Sequence, residues 1–379
     1  MSVQSSRGCI NRRGIVIGGS GLVGGTIVNY FKSVTKEPID ILAPNSKKLS
    51  LRVPEDIQTY LTTLKPDFII NAAITNIDAN EQLSFEVNFL GTLIAARMAI
   101  QLGIPFIQIS TAATLELGEN ITEDMKKSYA PYLTNYTRSK LMTEEMLEQL
   151  HKEEGLDYTV VRLAAVYGNH DHKIQGIHRM LFSVADESMP VLITKRGVFH
   201  SYSNCRKLPY FIHHTLDNRE EFSGSEYNFA DKEPVELVDL ILTIKSYLQL
   251  STPKNFCLPY AIAETGKRMM SVFLKIFSRV GLKAELPAEL IFLKQFYITH
   301  TLNCDRLLNS SFSDPFPDET VYTRMPEMIM YYLTRWTHQN LISTFNDEAK
   351  VSKAFAQTFR KNPQKLIKAA REGRIDMFY

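Results

Sequence analysis

The first 170 residues of this chain predict a doubly wound, parallel α/β sheet. A smaller, mainly helical C-terminal domain and a helical tail are expected to follow. Three observations carry this reading. Short β-branched runs alternate with longer segments of helical period. The runs are almost continuously apolar, as strands covered by helices on both faces must be. The first run leads through a glycine-rich loop, "GIVIGGSGLVGG" at 14–25, straight into an amphipathic segment.

The strands are expected at 14–18 (GIVIG), 39–43 (IDILA), 67–71 (DFIIN) and 158–163 (YTVVRL), with a further one in which Pro105 leads into 106–110. Helices are expected at 22–33, 54–64, 82–102 and 135–154. Beyond 171 the alternation loosens, although 224–248 still reads as strand, turn and helix. Residues 259–300 form helix-prone stretches with Leu-Pro breaks at 258–259 and 286–287. The tail from 319 is helical in character and ends in basic residues Lys361, Lys365, Lys368, Arg371 and Arg374. The expected organisation is a nucleotide-binding domain over 1–170, with 208–250 returning to it. A substrate-binding region covers 171–207 and 251–330, and a helical extension covers 331–379.

Composition narrows the function classes. The chain has 379 residues, 44% hydrophobic and 22% charged, with a net charge of +2, which gives no reason to expect a nucleic-acid partner. Four cysteines (Cys9, Cys205, Cys257, Cys304) lie far apart without a C-x-x-C pair, so a reduced protein with no structural zinc site is expected, and no metal is assigned. The N-terminus is polar and basic, and no apolar run approaches the roughly eighteen residues of a membrane span. A cytoplasmic location is therefore expected.

The glycine loop can be read as G-x-G-x-x-G from Gly19 or as G-x-x-G-x-x-G from Gly18, Gly21 and Gly24. The second register is adopted. Between a strand and a helix, such glycines let the backbone approach a pyrophosphate, while the helix start at Leu22 and Val23 supplies N–H donors. An NAD site commonly has a carboxylate after the second strand to hold the ribose 2′-hydroxyl. Here that strand runs into "APNSKKLSL", where Asn45, Ser46, Lys47 and Lys48 suit a 2′-phosphate. NADP(H) is therefore favoured over NAD(H), against the alternative that the two lysines only solvate a turn.

In "YLTNYTRSK" (132–140), Tyr136 and Lys140 stand four apart on one helix face. An ammonium beside a phenol stabilises phenolate and readies it for proton exchange. Upstream, "FIQISTAAT" ends a strand with Ser110 and Thr111, whose hydroxyls can orient a carbonyl. Further motifs are "IINAAITNIDANEQ" at 69–82, "EVNFLGT" at 86–92 and "RLAAVYG" at 162–168.

This ordered series over about 14–250 resembles the extended short-chain dehydrogenase/reductase superfamily, of the NAD-dependent epimerase/dehydratase type. "INAAITNIDANE" is most similar to the dTDP-4-dehydrorhamnose reductase branch. The resemblance implies a Rossmann-type fold and an NAD(P)-dependent oxidoreductase. By it, Thr111 hydrogen-bonds the reacting oxygen and Tyr136 donates the proton. Lys140 binds the nicotinamide ribose and depresses the Tyr136 pKa. Ala72 and Ala73 line the cofactor path, and Asn88 sits near the active site with the cofactor-binding residues. The implied partner is a small carbonyl or alcohol substrate, with a nucleotide-linked keto-sugar favoured and a homodimer allowed. A nucleotide-sugar epimerase or dehydratase, a reductase of a hydrophobic ketone and a non-catalytic regulatory subunit remain alternatives.

Four features stand outside this series. "GNHDHK" offers His170, Asp171 and His172 as metal ligands, or as loop and substrate contacts. A segment that often reads V-D-D in the family appears as "FIHHTLD", with His213 and His214. The amphipathic run 268–298 reads as core of the smaller domain, or else as a membrane-surface or substrate-covering stripe. The basic tail reads as a solvated helix face, or as a contact for a partner, phosphate or lipid headgroups.

Overall fold

A computed structural model describes residues 12–174, 176–185, 192–248, 250, 257–279, 293–339, 341 and 363–372. Six parallel strands form the central sheet: β1 (Arg12–Ile17), β2 (Ile39–Leu42), β3 (Phe68–Asn71), β4 (Phe106–Thr111), β5 (Tyr158–Leu163) and, from much later in the chain, β9 (Ser225–Phe229). Their order is β2-β1-β3-β4-β5-β9. The chain steps outward from β1 to β2 and then returns past β1 to β3. The crevice between β1 and β3, at the carboxyl ends of the strands, is therefore the topological switch point where such sheets bind ligands.

Helices cover both faces. On one side α1 (Leu22–Asn29) and α7 (Leu208–Asp217) bury Ile27, Phe211, Ile212 and Leu216 against Val16, Phe68, Ile70 and Val161. On the other, α2 (Pro54–Leu64), α4 (Thr92–Leu102) and α5 (Asn135–Glu154) bury Ile57, Leu61, Ala95, Ala99 and Leu147 against Ile15, Ile17, Ile69 and Val160. Each fully buried aliphatic side chain of this kind contributes about 1.5–3 kcal/mol.

Local chemistry sets the helix ends. Pro54 opens α2, where its missing N–H costs nothing. Thr134 caps α5 by accepting from the Thr137 N–H at 3.1 Å, and Gly155, at φ +73°, ends it. Two helices contain π-helical turns that period reading does not anticipate, Tyr30–Val34 after α1 and Phe85–Gly91 between α3 (Glu81–Ser84) and α4. The continuous helix Glu81–Leu102 is long and apolar enough to cross a membrane by length and composition. Here Ala95, Ala96 and Ala99 are packed on the sheet.

Beyond β5, short strand pairs join β6 (Ala165–Tyr167) to β8 (Tyr202–Asn204), and β7 (Phe199–His200) to β10 (Val235–Glu236). Residues 299–303 tie these to the loop after β4, through Ile121 N–H to Thr301 O at 2.8 Å and Thr301 N–H to Gly118 O at 3.0 Å. The chain up to Pro326 forms one compact unit, and Glu327–Tyr379 forms a second. No separate substrate unit divides off at 171, because the later segments interleave with the sheet's own loops.

The expectation that 268–298 packs as core holds at Leu293 and Tyr297 and fails along α10 (Tyr260–Arg279). There Ala263 is buried with Leu293 and Tyr297, whereas Met269, Met270, Val272 and Phe273 are exposed. Residues 280–292 lie outside the described residues, as do Cys9, Lys361 and Arg374 of the other expectations. Lys365, Lys368 and Arg371 are exposed on a helix, Pro363–Arg371.

Candidate active site

The loop after β1 is built for a close approach. Gly18 has φ +84°, and a Cβ there would fall 2.6 Å from the Ala73 nitrogen. A Cβ on Gly24 would fall 2.2 Å from the Gly18 oxygen. Gly21 closes the turn through its N–H to Gly18 O at 3.1 Å, and a Cβ on it would meet only that oxygen, at 3.6 Å. Gly18, Gly21 and Gly24 thus pack the loop between the start of α1 and the chain after β3. No side chain caps α1 and no acidic residue occupies its first turn, so its N-terminus at Leu22 and Val23 presents bare N–H groups. Ala72 and Ala73 form the opposite wall of the crevice. These features fit a dinucleotide's pyrophosphate.

After β2, Asn45, Ser46, Lys47 and Lys48 are all exposed. The Asn45 side-chain oxygen accepts from the N–H groups of Lys47 (3.1 Å) and Lys48 (3.2 Å), which shapes the turn and leaves both lysine side chains at its surface.

At the end of β4 the two hydroxyls part company. Ser110 turns inward and donates to the buried Glu144 carboxylate, so it is corrected from a carbonyl-orienting group to a support. Thr111 faces the site, where its hydroxyl accepts from the Ala113 N–H at 3.2 Å and stands near enough to the Tyr136 phenol to lower its pKa. Tyr136 stands in the first turn of α5, and Lys140 lies one turn later with 1% exposure. Lys140 Nζ donates to Ile109 O at 3.1 Å.

The expected depression of the Tyr136 pKa by Lys140 is also corrected. Burial raises the phenol pKa above its ordinary value, the Thr111 hydroxyl works against this, and Glu144 raises it further. Burial lowers the Lys140 pKa to about 8, while Glu144 opposes the shift. Lys140 Nζ is instead engaged by Ile109 O, and it is not among the influences on the phenol.

Asn88 is fully buried and its amide is spent on the protein. It donates to Thr75 Oγ1 (3.1 Å) and Ser139 Oγ (3.0 Å) and accepts from the Thr75 N–H (3.0 Å). It locks the chain after β3 to α5, so its part is to position the helix bearing Tyr136 rather than to bind cofactor through its amide.

Sequence reasoning missed the charge network beneath these residues. Glu144 accepts from Ser110, from Thr114 Oγ1 (3.1 Å) and from Arg162 Nε and Nη2 (3.1 and 2.9 Å). Arg162 also reaches Glu226 and donates to Glu123 O at 2.8 Å, and Lys126 closes on Glu226 at 2.8 Å. A signal was present. Glu144 continues the Tyr136–Lys140 face by four residues, and an arginine inside the buried strand YTVVRL needs a partner. Lys127 was missed as well; its Nζ donates at 2.8 Å to the carbonyl of Ala113, two residues past Thr111.

His170 and His172 gather no three-ligand set with Asp171 among the described residues. Asp171 Oδ2 lies 4.0 Å from Nδ1 of His178, which is 2.9 Å from Lys173 O.

Comparison with known proteins gives a consistent picture. Residues 15–197 match the NAD dependent epimerase/dehydratase family. A GDP-L-fucose synthase of Dictyostelium discoideum is 23% identical over 283 residues, covering 69% of this chain and 87% of that protein. Among solved structures, Thermus thermophilus UDP-glucose 4-epimerase in complex with NAD superimposes with a TM-score of 0.62 at 15% identity, over 85% of this chain and 99% of that one. dTDP-4-dehydrorhamnose reductase from Bacillus anthracis in complex with NADP gives 0.60 at 16% identity, over 85% and 98%. At such identities the structures show a shared fold.

Proposed function

Because residues 15–197 belong to the NAD dependent epimerase/dehydratase family, within the extended short-chain dehydrogenases/reductases, we propose that this enzyme is an NADP(H)-dependent reductase of a nucleotide-linked keto-sugar. The carrying observation is the placing of Thr111, at the carboxyl end of β4, and Lys140, one turn along α5, around the Tyr136 phenol, beside the glycine crevice. When bound, the nicotinamide supplies the hydride to the substrate carbonyl carbon. Tyr136 gives its proton to the carbonyl oxygen, and Thr111 holds that oxygen in line. Lys140 would hold the nicotinamide ribose, and Gly18, Gly21 and Gly24 would admit the pyrophosphate. Exposed Lys47 and Lys48, with no carboxylate after β2, support the 2′-phosphate. The three described free cysteines agree with a reducing, cytoplasmic setting.

The test is NADPH oxidation with a panel of nucleotide-linked keto-sugars. Turnover with at least one of them, falling about 10²–10⁴-fold in Tyr136→Phe, is the expected result. An epimerase returns its hydride, so product formation without net NADPH loss would overturn the reductase reading.

A further inference from the structure

The histidine in "FIHHTLD" that the catalytic series leaves unused has a defined place. His213 lies on α7 with 7% exposure, and its two ring nitrogens face different partners. Nδ1 is 2.9 Å from the hydroxyl of Tyr30, at the start of the π-helical turn after α1. Nε2 is 3.1 Å from Glu37 Oε2 and 3.4 Å from Asp217 Oδ2. Glu37 immediately precedes β2, and Asp217 is one helical turn beyond His213. One ligand atom from each of the three residues lies within 4.8 Å of the other two.

We propose that Glu37, His213 and Asp217 form a divalent transition-metal site of the zinc type, completed by water. Zinc bound by imidazole nitrogen and carboxylate oxygen has bonds of about 2.0–2.2 Å, so tetrahedral ligand atoms stand about 3.3–3.5 Å apart. The two nitrogen–oxygen separations fall at or just below that spacing. Nε2 carries at most one proton yet faces two carboxylates, an arrangement that one dication would satisfy.

The surroundings also suit a metal. With metal at Nε2, the Nδ1–H would donate to the Tyr30 hydroxyl 2.9 Å away, the outer contact that orients a ligating imidazole. Arg12 holds the other oxygen of Asp217 at 2.6 Å, aiming the carboxylate and leaving Oδ2 inward. Arg12, Glu37 and Asp217 together sum to one negative charge, which a dication offsets. The carboxylates are partly exposed, giving the ion a way in from solvent.

The site stands at the amino-terminal edge of the sheet, at the opposite end of β1 from Gly18. It would join α7 to the α1–β2 connection and act on stability. The absence of a cysteine zinc site is no obstacle, since the ligand set contains no sulfur.

The probes are Zn²⁺ and Co²⁺ added to metal-stripped full-length protein. Expected are one bound Zn²⁺ per chain, a rise in melting temperature of ~5 °C at about a hundredfold excess over Kd, and the strong visible absorption of tetrahedral Co²⁺. Glu37→Gln, at a half-exposed position, should weaken binding at least tenfold, and His213→Phe should abolish it. The His170→Ala/His172→Ala double variant should bind as the wild type does. Should His213→Phe fail to fold, Glu37→Gln decides the matter. No stoichiometric binding by the wild type, or equal binding by Glu37→Gln, would overturn the site.

Discussion

Arg162 on β5 and Glu144 on α5 form an ion pair in which both side chains have no exposure, with Nη2 2.9 Å from the carboxylate. Burial works to lower the Arg162 pKa, but Glu144 and Glu226 outweigh it and raise the value. The pair stands under the site, since Glu144 also holds Ser110 beside Thr111. Arg162→Met strands two carboxylates in the core and should lower stability by about 3–5 kcal/mol, measured by urea unfolding. A loss under 1 kcal/mol would mean that the network carries little of the fold.

Thr111 is the hydroxyl at the end of β4 that reaches Tyr136. Thr111→Val keeps the shape and removes the hydroxyl. If Thr111 also holds the carbonyl oxygen in the transition state, kcat should fall about 10²–10³-fold with little change in NADPH affinity. A variant that lost cofactor binding equally would place Thr111 in cofactor support instead.

How far the sequence discloses such features depends on how local their causes are. The helix 135–154 was legible to the residue, because a threonine cap and a terminal glycine act within one turn. The glycine loop was legible for the same reason. Ser110 and Thr111 are adjacent and chemically alike, and only the strand's alternation, with Glu144 behind it, sends one inward and the other to the site. Asn88 reads as a binding residue until its partners Thr75 and Ser139, brought close by folding, are seen to consume its amide. The Glu37–His213 contact spans 176 positions and depends on a π-helical turn that no apolar period announces.

Gly18 tests the cofactor crevice directly. In Gly18→Ala the new methyl meets the backbone after β3 at Ala73, and φ +84° is unfavourable for any side chain. Backbone strain of this kind costs about 1–3 kcal/mol. The variant should unfold at lower urea concentration and bind NADPH and NADH more weakly alike. Unchanged affinity for both would remove this loop from the binding site.

His300 sets a pH dependence. Burial lowers its pKa to about 4, with Lys127 and then His200 adding to the shift. Between pH 6.5 and 4 the unfolded chain therefore takes up a proton that the folded protein refuses, so stability falls as pH falls through that window. The largest slope this one group can give is about 1.4 kcal/mol per pH unit. Unfolding free energies from pH 7 to 4 should show a flatter decline in His300→Phe than in the wild type. Parallel curves would exclude His300 as a source of acid sensitivity.

Lys47 and Lys48 decide the proposed cofactor preference. Both are exposed beyond β2, on a turn whose geometry comes from Asn45 rather than from the lysines, so the Lys47→Ala/Lys48→Ala variant should keep the loop's shape. A 2′-phosphate held by a lysine gains a charge-assisted contact of about 1.5–3 kcal/mol, and each 1.4 kcal/mol is tenfold in affinity. Titration should show NADPH binding weakened about 10–100-fold while NADH binding is unchanged. Added salt should weaken NADPH binding to the wild type more than to the variant, because exposed charges are screened. Equal NADPH affinity in the two proteins would show that the lysines only solvate the turn, and the preference for NADP(H) would lose its support.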